Sequence, residues 1–152
     1  MFEVIVYLFE HYFEADIYPD EGTLTRELSA AGFDSEEINQ AISWMNGVEK
    51  LSQAPYPEAL THSLSTRCYA EQETARINSE NQGFLMFLES SGILNPIQRE
   101  WVIDRIMALD GPEITLEQLK WTVLIVLWSH SQGEDYLFIE DLLFGDTKTM
   151  VH

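Results

Sequence analysis

Four histidines, one cysteine and a scatter of carboxylates are the side chains of this chain best suited to chemistry. Their spacing argues against most of it. A metal site needs ligands that converge, commonly as HxxxH, CxxC or ExxH pairs near further ligands. His11, His62, His130 and His152 form no such set, and the nearest approach to one is His62 with Cys68. A nucleophilic thiol needs an adjacent base or a helix N-terminus to lower its pKa. Nothing near Cys68 supplies either, so an inert, buried thiol is expected. Glu134-Asp135 and Glu140-Asp141 resemble paired catalytic acids, but on an amphipathic helix they read as a solvated face. There is no GxSxG turn and no phosphate-cradling glycine loop. These readings predict no catalytic residue, no metal and no cofactor, hence a protein that is not an enzyme.

One motif remains. AGFDSEEINQAISWM, residues 31–45, reads as the joint of a helix-turn-helix-like hairpin. Gly32 stands where a helix ends left-handed, with Leu28 and Phe33 placed to touch across the ending. Asp34 is the expected N-cap and Glu37 the expected partner in a capping box, with Phe33 and Ile38 as a hydrophobic staple. If the following helix read DNA, its first turn would meet phosphates and base edges. That turn carries Glu36 and Glu37, the wrong sign. Its outward positions continue as Asn39, Gln40 and Ser43, with Lys50 the nearby base. Direct nucleic-acid binding through the hairpins stays as the alternative. It requires Arg67, Arg76, Arg99, Arg105 and Lys120 to form one basic stripe.

Charge favours another reading. Twenty-six acids face eight bases, a formal net charge of −18. Such a field repels phosphate backbones and attracts cationic surfaces. Ten of the acids fall within residues 1–37, beside one base, Arg26. The expected activity is protein–protein interaction: an acidic surface docking a basic, possibly nucleic-acid-handling partner. Glu10, Glu14, Asp16, Asp20, Glu36 and Glu37 would supply the charge, with Trp44 as an aromatic contact. Tyr7, Tyr12 and Tyr18 are further aromatic candidates, and the aromatic surplus leaves room for a homodimer. A lone cysteine fits a reducing compartment. The first residues lack the features of a signal peptide, and WTVLIVLW at 121–128 is too short to span a bilayer. A cytoplasmic location away from the membrane follows as the expectation.

The elements that must position these residues are helices. Apolar residues recur at helical spacing over 2–15, 21–31, 35–51 and 71–91, then from Asn95 to a stop at Gly111-Pro112, and from Thr115 through Trp128. A second joint at Leu88 and Gly92 leads to Asn95, Pro96 and Gln98, and a third helix start is signalled by Thr115 and Gln118. Phe84, Leu85, Phe87 and Leu88 are the expected apolar end of the 71–91 helix. Two prolines break the pattern at 52–70. The fold class is all-α: a compact bundle of about seven or eight helices, the last an acidic one near 134–144, with at most a minor strand pair near residues 64–70. Residues 1–152 are expected to form one domain, from a three-helix unit (1–51), a loop (52–70) and a helical unit (71–152).

Longer stretches resemble a known family. MFEVIVYLFE, GFLMFLESSGILNPIQREWVIDRIMALD, LEQLKWTVLIVLW, EDLLF and the terminal Val151-His152 occur in the order seen in the bacterial Smg family. The resemblance covers nearly the whole chain. It implies a proteobacterial cytoplasmic protein whose gene lies near those for a DNA-processing protein and peptide deformylase. It carries over no catalytic residues.

Overall fold

The structure, a computed structural model, describes residues 1–13, 19–51 and 70–131. Among them are seven α-helices and no strand. In chain order these are α1 (Phe2–Leu8), α2 (Glu21–Ala30), α3 (Ser35–Lys50), α4 (Glu71–Arg76), α5 (Ser79–Ser90), α6 (Pro96–Met107) and α7 (Leu116–Ser131). A π-helical turn, Phe9–Phe13, continues α1. The expected strand pair near residues 64–70, apart from Ala70, which is not in a strand, and the acidic helix near 134–144 lie outside the described residues.

Packing is organised around α7. A helix apolar on every side has no face to give to water, so it must be surrounded. Thr122 through Leu127 are all buried, while α3, α5 and α6 pack on α7. Thr122 is tolerated there because its hydroxyl donates to the Gln118 carbonyl one turn back, at 2.8 Å. Among the described residues, no helix is long and apolar enough to cross a membrane. From the other end of the chain, Phe9 meets Trp121 and Trp128 edge-on, with ring centroids 6.1 and 5.5 Å away. Full burial of such a side chain stabilises by about 1.5–3 kcal/mol. On the N-terminal side, α1 and α2 both pack on α3.

The helix ends follow local chemistry closely. At the first joint Gly32 has φ +101°, and the Phe33 and Gly32 N–H groups donate to the Leu28 and Ser29 carbonyls at 3.2 and 3.1 Å. The second joint repeats this geometry, with Gly92 at φ +81° and Ile93 donating to Leu88 at 3.0 Å. Both are Schellman endings. Asn95 and Gln98 exchange side-chain-to-backbone bonds at 2.7 and 3.0 Å, as do Thr115 and Gln118 at 3.1 and 3.0 Å. The box expected at Asp34 does not form. Asp34 is the N-cap residue, but its side chain accepts no capping bond. The Glu37 carboxylate lies 3.8 Å from the Met1 ammonium group, and the ion pair replaces the box.

The expected single helix over 71–91 is divided. Ile77 leaves the helical conformation (φ −108°, ψ 101°), is fully buried, and Asn78 caps a new start. The break frees the Arg76 carbonyl to accept from the Ile114 N–H at 2.9 Å. The Asn81 side chain then donates to the Ile114 carbonyl at 2.7 Å. Sheltering Ile77 and bonding both polar groups of Ile114 favours the break over a continuous helix. Leu85 and Leu88 point inward as expected, whereas Phe87, together with Met86, is 53% exposed.

Candidate interaction surface

The α2–α3 hairpin has two distinct ends. At its open end the Asn46 side chain donates to Glu21 at 3.3 Å. At its turn end, α1 and the π-helical turn lie across the joint. There the Tyr7 ring meets Phe33 edge-on at 5.3 Å, and the Tyr12 hydroxyl donates to the Glu27 carboxylate. His11 stacks on Tyr7, with centroids 4.0 Å apart and planes 16° from parallel. Its Nδ1 is 3.0 Å from the Tyr7 carbonyl, which only accepts, so Nδ1 carries the proton. The bond to Glu27 pushes the Tyr12 pKa up to about 12, with burial and the Glu27 charge acting in the same direction.

This turn end brings together half-buried aromatics and exposed carboxylates. Glu10 lies one turn beyond Tyr7, while Asp34, Glu36 and Glu37 follow Phe33 directly, and all four are exposed. Glu27 also belongs here, though the sequence reading passed over it. The spacing Leu24-Glu27-Leu28 placed it beside the inward stripe, which was the available signal. Asp20 stands apart. It caps α2 at the opposite end, where the Thr23 N–H donates to it at 2.8 Å and holds its carboxyl below the usual range. Glu14, Asp16 and Tyr18 lie outside the described residues, as do His62, Cys68 and His152. Among the described residues, no group of three or more His, Cys, Asp or Glu side chains converges as metal ligands would.

Trp44 requires correction as a surface contact. It is 3% exposed, and its indole N–H donates to the Arg105 carbonyl at 2.8 Å. The Arg105 guanidinium returns across α3, with Nη1 3.2 Å from the Trp44 carbonyl and its carbon 5.9 Å from the Trp44 ring. Gly47 makes this crossing feasible, since a Cβ there would stand 2.1 Å from Arg105 Nη1. Trp44 thus braces α3 against α6.

Along the outer side of α3 runs an open groove of about 880 Å³. Asn39, Gln40, Ser43 and Asn46 form its floor, Glu21 and Thr25 one wall, and Arg105 and Asp110 the other. The side chains of Asn39, Gln40 and Ser43 are exposed and bonded to no described residue. Arg26 is exposed, whereas Arg76, Arg99 and Arg105 are engaged in joints of the fold. Arg76 donates to the Met107 carbonyl at 2.6 Å and also to that of Leu109. Arg99 is buried against Glu89 at 2.8 Å and Glu100 at 3.1 Å. Arg105 pairs with Asp104 at 2.8 Å, and Lys120 lies over the Phe84 ring at 5.8 Å. Arg67 lies outside the described residues. The four described members of the expected basic stripe, Arg76, Arg99, Arg105 and Lys120, are thus each engaged by groups of the fold itself.

Residues 1–152 match the family described as "protein of unknown function (DUF494)". The chain is 48% identical to the Protein Smg homolog of Methylobacillus flagellatus over 152 residues, covering all of both chains. It is 43% identical over 142 residues to that of Nitrosomonas europaea, covering 93% of each. It is 41% identical to that of Aeromonas hydrophila, again over the full length of both. No solved structure matches. With the family model matched over residues 1–152 and 48% identity along the whole of one relative, the chain belongs to the DUF494 family of Smg homologues.

Proposed function

We propose that this protein is a non-enzymatic, cytoplasmic adaptor whose acidic turn-end surface docks a basic protein partner, one that itself handles nucleic acid. One observation carries the reading: three arginines are engaged by the fold itself while the acids around the turn stay exposed, with Arg26 and Lys50 the exposed bases among the described residues. Arg76, Arg99 and Arg105 are held by carbonyls and carboxylates of the fold. Glu10, Glu27, Asp34, Glu36 and Glu37 remain exposed around Tyr7, His11, Tyr12 and Phe33. Carboxylates steer a cationic surface, and aromatic faces accept guanidinium groups and lysine stems.

The test is affinity capture from host lysate, with and without nuclease, comparing the wild type with a Glu36→Lys/Glu37→Lys variant. A basic protein that survives nuclease, thins as salt rises and is lost with the variant is the expected result. Unchanged capture by the variant at low salt removes these two acids from the surface. Recovery only while nucleic acid is intact favours the hairpins as direct nucleic-acid binders.

A further inference from the structure

We infer that the groove along α3 receives an extended polypeptide segment of the partner, gripped by its backbone. This rests on the adaptor reading and adds where and in what conformation the partner lies.

Asn39, Ser43, Asn46 and Lys50 share one outward line on α3, with Gln40 and Gly47 beside it. From Asn39 to Lys50 the line is about 16 Å long. An extended chain rises about 3.3 Å per residue, so the line matches about five residues of strand. Its side chains suit such a chain chemically. A peptide bond presents one donor and one acceptor, and an amide side chain offers both in return. Asn39 and Gln40 are amides, Ser43 is a hydroxyl, and none is committed within the described fold. Arg105 crosses over Gly47, and the groove between α2 and the α6 side still holds about 880 Å³. A surface that served solubility alone would need no such uncharged stretch from Asn39 to Asn46 in a chain of charge −18.

The surroundings specify the segment's side chains. Glu36 precedes the line by one turn, Glu21 and Asp110 stand on the two walls, and all three are exposed. Arg105 in the same wall is already paired with Asp104. Lysines or arginines flanking the gripped backbone would find carboxylates on both sides, with Lys50 marking the end where an acidic or neutral residue fits. Amides also bind base edges, but the phosphates beside those bases would meet the same carboxylates. A peptide is therefore favoured over nucleic acid.

The experiment pans the full chain with a displayed random-peptide library. The enriched sequence is then made with a fluorescent label and titrated by anisotropy. The probe for nucleic acid is a labelled DNA, single- and double-stranded, titrated the same way. Expected are peptides rich in Lys and Arg whose affinity falls about tenfold in an Asn39→Ala/Ser43→Ala variant, the loss of about two hydrogen bonds. N-methylation of the central peptide bonds should do the same, and Glu117→Gln should change nothing. Both substituted side chains are exposed, and circular dichroism confirms the fold. Binding lost only with Glu10→Lys/Glu27→Lys overturns the groove while the adaptor reading stands. Binding indifferent to both sets of variants overturns both, as does a failure to enrich any peptide. DNA binding that depends on Asn39 and Ser43 overturns the choice of a peptide.

Discussion

At the scale of single residues, Tyr12 is the most sharply perturbed group at the candidate surface. Its hydroxyl donates to Glu27, and its pKa is pushed up to about 12 from 10.0. Titrating phenolate absorbance should therefore show one tyrosine ionising well after an ordinary one, and Glu27→Gln should return it toward the ordinary value. A titration that does not change with Glu27→Gln would refute the bond. The sign of the linkage is fixed. A raised pKa means the folded state holds the proton more tightly. The contribution to stability is thus fully present below about pH 10 and is lost as pH climbs through about 12. Nothing in the sequence pairs Tyr12 with Glu27, since the contact depends on how α1 lies across the α2–α3 turn. Trp44 shows the same blind spot. Its helical phase lies beside the line of Ile38, Ala41, Met45 and Val48, and only the docking of α6 decides that it faces inward.

At the scale of helices, what was legible was what is local. Gly32, Gly92, the Asn95–Gln98 box and the Thr115–Gln118 box are each settled within about six neighbouring residues by backbone sterics and orphan N–H groups. The break at Ile77 was missed because its benefit comes from Ile114, in another part of the chain. Asn78-Ser79 was the overlooked signal, an ordinary N-cap pair hidden inside an apolar pattern. Two glycines of neighbouring context should respond oppositely to alanine. Gly83 sits in the interior of α5 with nothing within 4 Å of an added Cβ, so Gly83→Ala should stabilise by up to about 1 kcal/mol. Gly92 has equal room but φ +81°, so Gly92→Ala should cost about 1–2 kcal/mol. Urea midpoints should move in opposite directions with unchanged slope. Equal shifts of the same sign would refute the assigned backbone conformations.

For the whole molecule, charge is the dominant lever. Self-repulsion at −18 weakens the compact state, and salt screens it. Raising potassium chloride to about 1 M shortens the screening length to about 3 Å, which should raise Tm by a few degrees. At this chain length about 1 kcal/mol corresponds to roughly 3 °C. A falling Tm would mean that ion pairs such as Arg99–Glu89 outweigh the repulsion. The all-α class was legible from periodicity, because helical spacing survives without knowledge of tertiary contacts. The candidate surface was legible only in part: the acids could be counted, but their division between the two ends of the α2–α3 hairpin could not.

The seat of Phe9 between Trp121 and Trp128 also sets an order of events. Phe9 leaves the ribosome bare, and the rings that will cover it are made much later. At about 5–20 residues per second, that interval is on the order of 5–20 s. Throughout it Phe9 lacks its aromatic cover, whereas α3, made earlier, can already pack on α1. Until then a newborn copy carries Phe9 without its seat, and the joining of the first helix to α7 waits on translation.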